Sequence, residues 1–409
     1  MGTVEVDVDP SEVGFDASRL ARIDDHFRRY VDDGRLPGWT LVVSRHGQVA
    51  HRSTYGMRDV EAGLPTTGDT IYRIFSMTKP ITSLACMMLV EEGRLQITDP
   101  VSAWIPAFAD MKVFAGGSSI APLVRPAAEP VRIWHLLTHT AGMTYGWTFF
   151  DAVDDIYRRA GFEFGFGSRG SLAEAVDGLA ALPLSFDPGT SWNYSVATDV
   201  VGRVVEVASG MRYEEYVATR ILRPLGMHDT GFSVPESSAH RLAALYRHAP
   251  GGKQLVEGAD AAALRVPRAP SGGGGLFSTA HDYLRFMRML EGGGALDGVR
   301  IASPTTIELM TTNHLPGNAD VSTFGRTLGE EVFYDGLGFG LGFSVVVDQA
   351  KTRVSCPEGT FGWGGMASTV FWVDPIEEVS VSFFTQLMPS TTYPIRPYLR
   401  SLVYQAIVD

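Results

Sequence analysis

Residues 75–93 read FSMTKPITSLACMMLVEEG, and the interpretation of the whole chain turns on them. Leu84, Met87, Met88 and Leu89, followed by the stop signal Gly93, predict one long buried helix from Phe75 to Gly93. Ser76 and Lys79 stand at its start, three positions apart, where residues share a helix face and a hydroxyl can meet an amine. Unpaired amides and the positive end of the helix dipole at that point stabilise a developing oxyanion. A lysine among apolar neighbours such as Phe75 is a candidate base for such a serine. Taken alone, the tetrapeptide equally suits a capping serine followed by a surface lysine.

Outward from this stretch, Asp16 to Val31 carries apolar residues at Leu20, Ile23, Phe27 and Tyr30, a helical stripe behind an Asp16 or Ser18 cap. Trp39 to Ser44 and Gln48 to Tyr55 flank His46-Gly47 and predict a hairpin. Helices follow at Ser171 to Leu182 and Ala197 to Gly210. In the last third, Leu341 to Val347, Thr369 to Val373 and Val379 to Phe384 are short strand-like runs, the last two joined at Asp374-Pro375, and Tyr393 to Val408 closes the chain as a helix. Strands near both termini around a helical middle predict an α+β fold, with one sheet assembled from both ends and a mostly helical lobe inserted. The boundaries expected are 1–80 with 275–409 for the discontinuous sheet domain and 81–274 for the helical one, with the active site in the cleft between them. The Gly- and Pro-rich connections Phe108 to Pro130 and Asn313 to Gly338 exceed simple turns and are candidates for pocket walls or lids.

The 409 residues are 45% hydrophobic and 20% charged, which excludes a disordered chain and a multi-span membrane protein. A net charge of −12 without any dense basic run argues against nucleic acid as a partner. The stretch Ile81 to Val90 is too short to span a bilayer, so no membrane anchor is expected. The first residues lack the basic and apolar segments of a secretory signal, and a cytoplasmic location is expected. Cys86 and Cys356 are too few for a disulfide framework and read as buried thiols.

Further motifs lie downstream in a fixed order: LLTHTAG at 136–142, FDPGTSWNYS at 186–195, PLGMHDTGF at 224–232, GGGGLFSTAHD at 272–282 and Trp363-Gly364-Gly365. Together with Ser76-Met77-Thr78-Lys79 this ordered set resembles the serine β-lactamase and penicillin-binding-protein superfamily. Within it, the chain resembles the carboxylesterases related to class C β-lactamases, called family VIII. The resemblance runs from about Asp16 to the C-terminus. It implies a β-lactamase/transpeptidase-like fold, Ser76 as acylated nucleophile, Lys79 as its proton acceptor and Tyr194 as a proton shuttle. It further implies an oxyanion hole from the backbone N–H groups of Ser76 and Met366, no metal or organic cofactor, and a small-molecule ester as substrate.

Two departures from the family pattern of lactam-processing relatives are informative. Trp363-Gly364-Gly365 stands where those relatives have Lys-Thr-Gly, so an indole replaces the cation that docks a substrate carboxylate. Tyr194-Ser195-Val196 lacks the asparagine of Tyr-x-Asn. Both point toward simple esters, with Trp363, Gly364, Gly365, Phe75 and Val196 around the substrate. The aromatic run Tyr145, Trp147, Phe149, Phe150, Tyr157, Phe162, Phe164, Phe166 suits an apolar wall, led by Tyr145 and Phe149, or a satellite core under a long loop. The same residues also serve acyl transfer to an alcohol other than water, or weak β-lactamase or D-amino-acid peptidase activity; a non-catalytic scaffold is the reading from another class, and a homo-oligomer stays open.

Other patterns carry less. His135 and His139 have zinc-helix spacing but no glutamate after His135 and no third ligand, which favours a structural role. Gly165 to Gly170 fits Gly-x-Gly-x-x-Gly without a preceding strand. No Gly-x-Ser-x-Gly elbow is present.

Overall fold

A computed structural model describes residues 2–166, 170–258, 262–326 and 334–409. Among these, the principal sheet is built from both ends of the chain. Its N-terminal strands are β1 (Gly38–Arg45), β2 (Gln48–Asp59) and β3 (Leu64–Pro65). Its C-terminal strands are β4 (Leu337–Phe339), β5 (Ser344–Val346), β6 (Phe361–Gly364), β7 (Val370–Asp374) and β8 (Val379–Phe384). The spatial order is β4-β5-β6-β7-β8-β1-β2-β3, antiparallel throughout. The seam between the two ends is β1 against β8, with Leu41 opposite Phe383 and Val43 opposite Val381.

Local chemistry explains these elements. His46 and Gly47 both take positive φ, 53° and 73°, as a two-residue hairpin turn requires. Asp374 turns β7 into β8 by accepting from the amides of Ile376 and Glu377. Helix α1 (Ala17–Asp32) is capped by Asp16, whose side chain accepts from the Arg19 amide at 3.0 Å. It buries Leu20, Ile23, Phe27 and Tyr30 against one face of the sheet, beside the closing helix Ile395–Tyr404. The opposite face carries the larger core, to which α2 (Thr78–Glu91), α3 (Ala197–Ser209) and α4 (Ala280–Glu291) contribute. We number the closing helix α5.

Helix α2 begins at Thr78 rather than at Phe75. Phe75–Met77 form a separate 3-10 turn, and Phe75 has φ +44°, a left-handed conformation that a bulky side chain adopts only under constraint. The constraint is visible on both sides. Ile74 donates its amide to the Leu276 carbonyl at 3.1 Å, while its own carbonyl accepts from Thr369 Oγ1 at 3.4 Å. Periodicity in residues 75–93 could not register these long-range bonds.

The two long connections differ. Phe108 to Pro130 contains an exposed hairpin, Lys112–Gly117 with Pro122–Pro126, whose glycines and prolines disguise it as loop; it lines neither cavity of the site described below. Asn313 to Gly338 does reach the larger cavity, through Tyr334 and Leu337. No helix among the described residues is long and apolar enough to cross a membrane.

Candidate active site

The end of β6 approaches the Ile74–Phe75 segment so closely that a Cβ at Gly365 would collide with the Ile74 carbonyl oxygen and Thr369 Oγ1. Only glycine permits that approach. It brings Met366 to the same cavity wall as Ser76, which stands in the 3-10 turn ahead of α2.

Lys79, in the first turn of α2, is buried at 1% exposure, and its ammonium has three oxygen contacts. Nζ lies 3.3 Å from Ser76 Oγ, 3.1 Å from the Tyr145 hydroxyl and 2.7 Å from the Gly273 carbonyl. Three acceptors match the three N–H bonds of a protonated lysine; as a neutral amine it can accept from Ser76 instead. Nζ also lies 4.6 Å from the ring centroid of Tyr194. The Tyr194 hydroxyl accepts from Trp363 Nε1 at 3.3 Å. The direct hydrogen bond of Lys79 to a tyrosine is therefore to Tyr145, a residue the sequence suggested only as pocket wall.

A second layer surrounds this cluster. Asp199, on α3, is 1% exposed and accepts from Ser271 Oγ at 2.5 Å and from the Gly273 amide at 2.9 Å. One residue, Gly273, thus links Asp199 to Lys79, giving its N–H to the carboxylate and its C=O to the ammonium. Burial holds the Asp199 carboxyl above the usual carboxylate range, against the pull of Lys79 and its two hydrogen bonds. Burial, Tyr194 and Asp199 together raise the Tyr145 phenol well above 10, so it works as a neutral hydroxyl. Motif spacing had no means of finding Asp199, since a lone acid in an apolar helix pattern carries no spacing signal.

Two cavities meet at Ser76. The larger, about 270 Å³, runs along Trp363, Gly364 and Gly365 toward α5. The smaller, about 160 Å³, is lined by Phe75, Tyr145 and Gly274. Ser76, Tyr194, Trp147, Phe164 and Met366 belong to both. The aromatic run divides accordingly: Tyr145, Trp147 and Phe164 face cavities, and Tyr157, Phe162 and Phe166 are core. Phe149 corrects the expectation, being 68% exposed with the Arg158 guanidinium 4.4 Å from its ring centroid. Val196 is a second correction. It is fully buried in the core ahead of α3 and lines neither cavity, because the chain turns into the helix there and carries its side chain inward.

His135 and His139 take separate structural partners. His135 Nδ1 accepts from the Arg132 amide at 3.0 Å; His139 Nδ1 meets Ser195 Oγ at 3.2 Å and its ring packs 4.9 Å from Tyr194. Burial and Arg132 lower His135 to about 4, and burial and Lys79 push His139 well below 6.5. The unfolded chain takes up protons on these imidazoles from about pH 6.5 downward while the folded chain does not. Stability therefore falls as pH drops from 6.5 to 4. Urea midpoints measured across that window are expected to fall, with a shallower slope in His135→Gln, which keeps an acceptor for the Arg132 amide. The Gly165–Gly170 pattern has its central residues, 167–169, outside the described residues. Cys86 is buried, with its thiol pushed up to about 12 by burial, and Cys356 is also fully buried.

A β-lactamase family model matches residues 23–405. The chain belongs to the β-lactamase family. It is 34% identical over 421 residues to Esterase EstB of Burkholderia gladioli, covering 97% of this chain and 98% of that one. It is 37% identical over 365 residues to Protein Rv1367c of Mycobacterium tuberculosis, covering 88% of each. Among solved structures it is similar to EstCE1, "a hydrolase with promiscuous acyltransferase activity", with TM-score 0.80, 28% identity, and coverage of 95% of this chain and 99% of that one. These likenesses make this member of the β-lactamase family a family VIII-type serine hydrolase, as the ordered motifs implied.

Proposed function

We propose that this protein is a carboxylesterase acting on small esters with short or aromatic arms through an acyl-enzyme on Ser76. The observation that carries the reading is Lys79 Nζ at 3.3 Å from Ser76 Oγ, inside a buried cluster of Tyr145, Tyr194 and the Gly273 carbonyl. With Lys79 in its neutral amine form, Ser76 Oγ attacks the ester carbonyl carbon and its proton passes to Nζ, which becomes the ammonium. The carbonyl oxygen, now an oxyanion, is held by the amides of Ser76 and Met366. The carbon–alkoxy bond breaks, and the alcohol leaves with a proton relayed through Lys79 and Tyr194. Water then adds to the acyl carbon, releasing the acid and restoring the serine hydroxyl.

The two cavities that meet at Ser76 support an ester, which has two arms. The smaller favours a short one. Trp363 between Tyr194 and Phe339, with ring centroids 5.4 and 5.2 Å away, presents an apolar surface where lactam-processing relatives have a cation. The reading includes the division into 1–80 with 275–409 and 81–274, with the catalytic groups in the cleft between. A panel of p-nitrophenyl esters, a chromogenic cephalosporin and a D-Ala-D-Ala peptide tests it: highest kcat/KM is expected on p-nitrophenyl acetate or butyrate. Preference for the cephalosporin or peptide would overturn the role given to Trp363.

The likeness to EstCE1, with its promiscuous acyltransferase activity, favours a second reading, transfer of the same acyl group to an alcohol. Adding butanol during turnover and measuring butyl ester against free acid separates the two; predominant butyl ester at low butanol would make the protein an acyltransferase.

A further inference from the structure

The larger cavity ends at two arginines on one face of α5. Arg396 and Arg400 both line it and are four residues apart, so their side chains are neighbours one helical turn apart. Like charges at this spacing repel, and Arg396 sits in the first helical turn, where the dipole disfavours a cation. No carboxylate among the described residues lies within ion-pair distance of either guanidinium, whereas Arg241, Arg326 and Arg125, for instance, each have one.

What the two groups do touch leaves donors free. Arg396 Nη2 donates to the Gly365 carbonyl at 3.3 Å, and its Nε is buried without a hydrogen-bond partner. Arg400 Nη1 donates to Cys356 Sγ at 2.7 Å, and the guanidinium carbon lies 5.4 Å from the Trp372 ring centroid. A guanidinium has five N–H bonds, so most of each fork remains available. Space for Arg396 is made by Gly364, where an added Cβ would run into its Nη2. The Gly365 carbonyl that holds Arg396 belongs to the residue immediately before Met366. The cationic end of the cavity is therefore joined by one residue to the proposed oxyanion hole.

We propose that Arg396 and Arg400 form an anion subsite, and that the preferred substrates are esters with a carboxylate on one arm. This rests on the ester-hydrolase reading and narrows it. The cavity that Ser76 and the arginines share is also lined by Trp363, Val370 and Phe371, and beside such apolar side chains a charge-assisted, bidentate arginine–carboxylate contact is stronger than in water. The cation missing from the third motif is thus replaced from α5, at a different place and with planar forks in place of a single ammonium. Replacement of lysine by Trp363 accordingly changes where a carboxylate is held rather than abolishing its recognition.

The test compares isosteric pairs that differ only in charge. For the acyl arm, p-nitrophenyl hydrogen glutarate is set against p-nitrophenyl glutaramate; for the alcohol arm, 3-acetoxybenzoate against 3-acetoxybenzamide. In one pair the charged ester is expected to have kcat/KM at least about tenfold above its amide, and this ratio should fall toward one in Arg396→Gln and in Arg400→Gln. The ratio is the readout, so a general loss of activity in a variant does not imitate the effect. Two variants are used because Arg400 also supports Cys356 and Trp372. A ratio at or below one in both pairs, or one that survives both substitutions, overturns the subsite. Acylation of Ser76 by the neutral members, seen by mass spectrometry, would then leave the esterase reading standing. If no member of either pair acylates Ser76, the esterase reading fails and takes the subsite with it.

Discussion

Ser76→Ala is expected to lower kcat on p-nitrophenyl butyrate by about 10⁴-fold or more, with an unfolding midpoint close to that of the native protein. The two halves of this expectation have separate grounds. Ser76 Oγ is the hydroxyl within reach of Lys79 Nζ that also faces both cavities, so the substitution deletes the atom proposed to form the acyl bond. Its contribution to the fold is small, because the unusual backbone at this point is imposed by Ile74 and its partners Leu276 and Thr369 rather than by the serine side chain. The nearest rival is Ser271, which lines the smaller cavity and donates to Asp199 at 2.5 Å, a geometry that also resembles a serine beside a base. A serine-directed phosphonate followed by peptide mapping separates them. Label on Ser271, or turnover that survives in Ser76→Ala, would remove Ser76 as nucleophile.

The parts of this site that are legible in the sequence are those encoded by short spacings. Ser76, Lys79 and Tyr194 stand in segments whose order along the chain is specific, and the strand at Val379 to Phe384 can be read from its β-branched and aromatic run with its true boundaries. What escapes is everything fixed by approach of distant segments. The start of α2 at Thr78 depends on Leu276 and Thr369, some 200 and 300 residues away. Tyr145 looks like one more aromatic in a crowded run until the fold carries its hydroxyl to Lys79. Phe149 is indistinguishable from Trp147 by composition, yet one is exposed and the other lines both cavities. Arg396 and Arg400 belong to a helix that the sequence predicts, but that no carboxylate among the described residues pairs with them is a property of the packed fold, not of the helix.

Lys79→Met is expected to lower kcat by about 10³-fold or more, in the upper part of the range associated with losing a positioned proton acceptor. Methionine fills nearly the same volume, so the loss comes from chemistry rather than from a cavity. The substitution has a second consequence, because the amine is also the cation facing Asp199 across Gly273. Without it the Gly273 carbonyl loses its partner and a buried carboxylate loses its counter-charge, at a cost of about 2 kcal/mol. Asp199→Asn added to Lys79→Met should recover part of that loss, since it removes the uncompensated charge while keeping an oxygen for Ser271 and Gly273. The sign with pH follows from the direction of the Asp199 shift. Burial already raises this carboxyl, and Lys79 is the largest of the influences that draw it down, ahead of the bonds from Ser271 and Gly273; with Lys79 gone it rises further. The folded variant then holds a proton that the unfolded chain has released, so its stability deficit grows as pH rises from about 4 and shrinks in acid. Denaturant titrations of the native protein, both single variants and the double variant across pH 4 to 8 measure all of this together. Stabilities that add to within about 0.5 kcal/mol would dissolve the proposed Lys79–Gly273–Asp199 linkage. A kcat in Lys79→Met within tenfold of the native value would remove the lysine as proton acceptor and shift that role to Tyr194, whose hydroxyl is held beside the same cavities by Trp363 Nε1.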